Sequence, residues 1–251
     1  MFKPFNAKTA KDELIAWIAA YFRENAAPDT RAVIGVSGGK DSSVCAALLA
    51  AALGPERVLG ILMPQGEQAD IADAYELCRI LGIKYVEINI AAAVDGLYAA
   101  VETAGLGLNN IATINTPARL RMTTLYAVSA IVGGRVANTC NRSEDWIGYS
   151  TKYGDAAGDF SPLSHFTVGE VKAIGRELGL PARFIDKTPA DGLCGKSDEE
   201  NLGFTYELLD EYIRTGVCPD PAIKEKIDRL HAMNLHKMQP MPAYEHLSLR
   251  A

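Results

Sequence analysis

The chain has 251 residues and a mass of 27.0 kDa; it is 48% apolar, 22% charged and 8% aromatic, which excludes a disordered, collagen-like or coiled-coil protein. Its 25 basic and 31 acidic residues give a net charge of −6, a poor balance for gripping nucleic acid, although local donors or a metal can still hold a small anion. The longest apolar run, Val44–Leu53, is too short to cross a bilayer.

The predicted elements alternate. Thr9 is placed to cap a first helix, in which Leu14, Ile15, Ile18, Tyr21 and Phe22 recur at helical spacing until Pro28 and Asp29. Ala32–Val36 is a short apolar run between polar turns, as in a buried parallel strand. Ser42–Leu53 is rich in Ala and Leu, hence helix, and Gly54-Pro55 ends it. Val58–Met63 is the next strand. Asp70–Leu81 is the next helix, with Ile71, Ala74, Cys78 and Leu81 on one stripe. Tyr85–Ile90 is a third strand and Val136–Thr139 a fourth; helices cover Ala91–Glu102 and Thr116–Ile131. After about residue 165 the pattern is helical: Thr167–Leu178, Asp198–Arg214 and Pro221–Leu235. Residues 105–115 and 150–162 are Gly-rich and polar, hence loops near strand ends.

This rhythm predicts an α/β fold, a doubly wound parallel sheet with helices on both faces and a helical C-terminal extension. No repeat or Ser/Gly linker divides it, so residues 1–251 are expected to form one domain, with a core at 1–165 and a helical part at 166–251. Met1–Leu14 has no apolar core, so no signal peptide is expected. Five cysteines, at 45, 78, 140, 194 and 218, show neither CxxC nor zinc spacing, which suits reduced, mostly buried thiols in a cytoplasmic protein.

The first chemical motif follows the first strand. Ser37-Gly38-Gly39-Lys40-Asp41-Ser42 lies between an apolar strand and an Ala-rich helix. Adjacent glycines let backbone N–H groups converge on an anion, and the helix N-terminus adds its positive end. An ordinary strand-to-helix turn with a Ser cap is the plainer reading, and Lys40 reads equally as a solvated side chain. A turn alone does not explain Asp41. A carboxylate in an anion cradle repels phosphate unless Mg2+ bridges the two. The spacing is not that of a Walker A loop, since Ile34 and Asp41 stand where Gly and Ser/Thr are needed.

S-G-G-x-D-S after a strand resembles the loop of the N-type ATP-pyrophosphatases, which split ATP between the α and β phosphates and adenylate a second substrate. Further on come Asn138-Thr139-Cys140-Asn141-Arg142-Ser143-Glu144, then Thr151-Lys152-Tyr153-Gly154-Asp155, then Asp159. Thr139 offers a hydroxyl and Glu144 a hard oxygen ligand. Lys152 suits a phosphate or carboxylate. Taken singly these read equally as a cap, a helix-start charge and a surface lysine. In order, S-G-G-x-D-S, A-R-x-R-M, T-x-N-x-S-E, T-K-Y-G-D and a late His-Lys resemble the NAD synthetase family over residues 33–240.

The resemblance implies an adenine nucleotide α-hydrolase-like fold and the ATP-dependent amidation of deamido-NAD by ammonia. It implies that Gly35, Val36, Ser37, Gly38, Gly39, Lys40, Asp41, Ser42 and Thr139 hold ATP, and that Asp41 and Glu144 hold Mg2+. It implies deamido-NAD contacts from Arg119, Lys152, Asp159, His236 and Lys237, in a homodimer with the dinucleotide site at the interface. Small molecules are thus the expected partners, with neither nucleic acid nor membrane. The family often has a Lys where this chain has Val168, and Ser or Thr before Asp191 where it has Pro189-Ala190; Lys187 or Lys196 is a possible substitute. No spare segment is left for an amidase, so free ammonia is expected as the nitrogen source. Asp155 is the expected acceptor of the ammonium proton, with an Asx-turn as the competing role. His165, His231 and His246 read as structural or surface residues. Two rival readings stand: a tRNA-modifying relative, which wants paired cysteines and a basic face, and an ATP-binding sensor that has lost catalysis.

Overall fold

The computed structural model describes residues 5–187 and 198–244. Four parallel strands, β1 (Arg31–Gly35), β2 (Val58–Leu62), β3 (Lys84–Glu87) and β4 (Gly134–Val136), lie in the order β3-β2-β1-β4. The predicted third and fourth strands thus begin earlier and end sooner. The chain builds β1, β2 and β3 outward on one side and returns to place β4 on the other, which makes the β1/β4 gap a topological switch point.

Alternation along the strands sorts the core. Ala32, Ile34, Val58 and Leu62 face one layer with α1 (Ala7–Asn25), α2 (Lys40–Leu53), α3 (Ile71–Leu81) and α7 (Val168–Glu177). Val33, Leu59, Ile61 and Val136 face the other, against Met122 and Leu125 of α5 (Asn110–Val132). A separate apolar cluster joins α6 (Arg142–Ile147) and α7 to α9 (Asp198–Leu202), α10 (Tyr206–Thr215) and α11 (Pro221–Asn234). The remaining α-helices among the described residues are α4 (Ala91–Thr103) and the short α8 (Ala182–Ile185).

Four local expectations change. The cap of α1 is Asn6, whose side chain accepts from the Thr9 backbone N–H at 2.9 Å, so Thr9 lies inside the first turn. The α2 helix starts at Lys40, not Ser42. The α5 helix starts at Asn110, inside the expected 105–115 loop, because Asn109 caps it through the Ala112 N–H. Pro117 then sits within α5; the Thr113 carbonyl that it leaves without a helical donor accepts from Tyr98 Oη at 3.1 Å. Finally, 198–214 is two helices. Gly203 adopts φ +75°, and the Thr205 side chain caps a new start at Tyr206.

Candidate active site

The loops after β1, β2 and β4 open into a cleft of about 940 Å³, lined among others by Gly35–Ser42, Met63, Arg121, Thr139, Glu144 and Asp155. It lies at the strands' carboxyl ends, where doubly wound sheets bind ligands.

Gly39 caps α2 with no side chain on the open amides, so the serine cap does not form. The first helical bond is Ser43 N–H to the Gly39 carbonyl, which leaves the N–H groups of Lys40, Asp41 and Ser42 without helical acceptors. Ser42 and Ser43 turn their hydroxyls onto the Gly39 carbonyl, at 3.1 and 2.7 Å. They stiffen the loop. Gly38 has φ +76°, and a Cβ there would lie 2.8 Å from Asp73 Cβ of α3. Only glycine fits this contact without strain.

Lys40 is not a solvated side chain. It is 4% exposed, and its Nζ donates to Asp41 Oδ2 at 2.8 Å and Glu144 Oε1 at 3.0 Å. Burial works against the ammonium, but the charges of Asp41 and Glu144 outweigh it and hold the Lys40 pKa above its ordinary range. Burial and the Asp41 charge raise the Glu144 carboxyl, with Lys40 opposing. One ammonium between two carboxylates leaves a net charge of −1, which attracts a further cation.

Among the described residues no three His, Cys, Asp or Glu side chains group into a metal cage. Two hard carboxylates beside an open phosphate cradle fit an ion that takes one or two protein ligands, substrate phosphate and water, as Mg2+ does.

The Asn141 side chain, missed as a functional residue by sequence reasoning, joins both halves. It is fully buried; its oxygen caps α6 at the Glu144 N–H, 3.0 Å, and its Nδ2 donates to Asp41 Oδ1 at 3.0 Å. Its signal was the Asn three residues before Glu144. Ser143 Oγ donates to Asp210 Oδ1 at 2.5 Å and accepts from the Val168 N–H, fastening α6 to α7 and α10. Val168 is itself buried in the apolar cluster behind them. Ala190 and Lys196 lie outside the described residues, as do Cys194 and His246. Lys187 lines the cleft and donates to Asp70 and Asp73, both at 2.7 Å.

Asn138 uses all four hydrogen-bonding positions. Its Nδ2 donates to the Asp155 and Ala157 carbonyls at 2.7 and 2.9 Å; its Oδ1 accepts from the Cys140 N–H and Ser161 Oγ, both at 2.9 Å. This buried amide ties the 155–161 loop to the end of β4. Asp155 faces the cleft and accepts from the Thr151 N–H at 3.0 Å. Crowding by protein raises its carboxyl above the usual range, against that hydrogen bond and the nearby Lys237 ammonium.

Four of the five predicted dinucleotide contacts are linked. Arg119 Nε donates to the Lys152 carbonyl at 3.2 Å, and Lys152 Nζ to the His236 carbonyl at 2.8 Å. Lys237 Nζ donates to the Gly148 and Ser150 carbonyls at 2.7 and 3.0 Å. Asp159 stands apart: its Oδ2 accepts from the Val136 N–H at 2.7 Å and its Oδ1 from Tyr126 Oη at 3.4 Å. Arg121, not singled out in the sequence, lines the same cleft and donates to the Met63 carbonyl at 3.1 Å. Of the histidines, His231 stacks on Trp146 at 4.0 Å, and the His165 carbonyl accepts from Arg214 at 2.8 Å.

Residues 11–245 match the NAD synthase family model. An NH3-dependent NAD+ synthetase of Pyrococcus furiosus is 38% identical, over 80% of this chain and 77% of that one. The protein of that name from Alkaliphilus metalliredigens is 34% identical, over 92% and 96%. The structure of an NMN synthetase from Francisella tularensis superposes with a TM-score of 0.88 at 30% identity, covering 96% of this chain and all of that one.

Proposed function

The chain belongs to the NAD synthase family, and from that premise we propose that it is an ammonia-dependent ligase that converts deamido-NAD to NAD+ with cleavage of ATP to AMP and pyrophosphate. The observation that carries the reading is the uncapped α2 N-terminus with Asp41 and Glu144 converging beside it. The amides of Lys40, Asp41 and Ser42 receive the ATP phosphates, and Thr139 supplies a hydroxyl to the same nucleotide. Asp41 and Glu144 would hold Mg2+, which when bound would supply charge neutralisation at the transferring and leaving phosphates.

A carboxylate resists attack by ammonia. The nicotinate oxygen therefore attacks the α-phosphorus, pyrophosphate leaves, and the carbonyl becomes a mixed anhydride with AMP. Ammonia then displaces AMP. Ammonium has no lone pair, and Asp155, on the cleft wall with a raised carboxyl pKa, takes its proton. Arg119, Lys152, His236, Lys237 and Asp159 bind deamido-NAD. The position of Asp159, apart from the other four, suits a homodimer in which one protomer completes its partner's site. The exposed Ile111, Ile114, Tyr126 and Ile131 of α5 offer apolar surface for it.

Carboxylate-18O deamido-NAD tests the route. Label must appear in AMP; label found only in NAD+ or water refutes the adenylate. The likeness to an NMN synthetase favours one second reading, in which deamido-NMN is the preferred carboxylate. The ratio of kcat/KM for the two acceptors decides between them.

A further inference from the structure

The variable position of S-G-G-x-D-S carries Lys40, and the activity described above gives its ammonium no task beyond that of the loop. Its side chain is 3% exposed, stands 5.8 Å from the Tyr206 ring centroid, and places its Nζ within 3.0 Å of both carboxylates at once. A third oxygen interaction is also fixed, since Asn141 donates to the other Asp41 oxygen at 3.0 Å. A divalent cation drawing on Asp41 and Glu144 therefore meets a fixed positive charge beside the same oxygens. Two cations so close repel strongly in a part-buried site, where water screens little.

We propose that Lys40 is a resident counter-cation of the metal site, displaced when a divalent ion enters and transferred to the nucleotide's phosphates. This rests on the reading of Asp41 and Glu144 as metal ligands. Lysine suits the exchange: its ammonium is a point charge on a flexible four-carbon stem, anchored at the first residue of α2 among the open amides. In the nucleotide-free protein Lys40 keeps the carboxylates from being buried as an unneutralised pair. It also weakens metal binding until a phosphate chain arrives to accept the released ammonium. Metal and nucleotide then bind cooperatively, because each removes an obstacle to the other.

The test is titration of Mn2+ into nucleotide-free protein, followed by pyrophosphate into the Mn2+-loaded protein, for wild type, Lys40→Met and Lys40→Gln. Losing the competing charge should tighten nucleotide-free Mn2+ binding at least tenfold in both variants and weaken pyrophosphate binding at least tenfold. The thermal shift produced by Mn2+ alone should be larger in the variants than in wild type. If Lys40 only braces the carboxylates, Mn2+ affinity falls or stays unchanged in the variants, and the inference is wrong. Should Lys40→Met not fold, Lys40→Gln, which keeps a donor to one carboxylate, is read by the same titrations. A wild-type protein that takes up no Mn2+ even with ATP overturns the metal reading itself, and this inference with it.

Discussion

Asp145 follows Glu144 in α6 and is 7% exposed. Among the described residues its carboxyl accepts one hydrogen bond, from Ser150 Oγ at 3.4 Å. Burial, with a smaller contribution from the Asp155 charge, pushes its pKa up to about 7, against the pull of Ser150. A carboxyl that titrates near 4 in the unfolded chain thus holds its proton in the fold up to near neutrality. Moving a carboxyl from near 4 to about 7 corresponds to about 4 kcal/mol. Its sign is unfavourable to the ionised fold: between pH 4 and 7 the folded state binds the extra proton, so stability from this group falls across that window and is level above it. Asp145→Asn keeps an oxygen for Ser150 and removes the charge. At pH 8 the variant should be more stable than wild type by at least about 2 kcal/mol, or roughly 4–8 °C in Tm for a chain of this size. At pH 4.5 the difference should shrink to about 1 kcal/mol or less. Denaturant unfolding across pH 4.5–8.5 measures the difference directly. A difference that does not vary with pH, or a variant less stable at pH 8, refutes the reasoning.

Three further outcomes follow from the same geometry. Gly38→Ala forces a side chain into φ +76° and against Asp73; thermal unfolding should show a loss of about 2 kcal/mol or more, and steady-state assays a raised KM for ATP. Asn138→Leu orphans the groups around a four-bonded buried amide; denaturant unfolding should register a loss of about 3 kcal/mol or more, with kcat falling because the 155–161 loop loses its tie to β4. Asp155→Asn should lower kcat/KM for ammonia at least tenfold while KM for ATP holds. It should also erase an acid limb lying above the ordinary carboxylate range, because only the ionised carboxyl accepts a proton; full amide transfer at every pH would contradict this.

The sequence made legible what local chemistry determines. A five-residue apolar run, a glycine pair and an Ala-rich helix specify the β1 loop and α2 by themselves, and the continuous apolar character of β1 fits its burial on both faces. Helix boundaries were read less well wherever a single side chain decides them. Asn109 starts α5 early, and a left-handed Gly203 divides the segment from Asp198. The site's partnerships were not legible, because they join distant parts of the chain. Lys40 meets Glu144 across 104 residues and Asp41 meets Asn141 across 100, so nothing around Lys40 indicates that it is buried. Arg119 and Arg121 look alike in A-R-x-R-M. Only the packing of α5 against the sheet puts Arg121 in the cleft and Arg119 on the Lys152 carbonyl.

The central claim is amide transfer from free ammonia driven by adenylation. It is tested most directly by measuring NAD+ and AMP formed from deamido-NAD and MgATP, with ammonium in one reaction and glutamine in a parallel one. The account predicts NAD+ and AMP in equal amounts with ammonium and neither with glutamine. Folded protein that binds ATP but forms no AMP, or forms AMP without NAD+ or NMN from any nicotinate nucleotide, contradicts it.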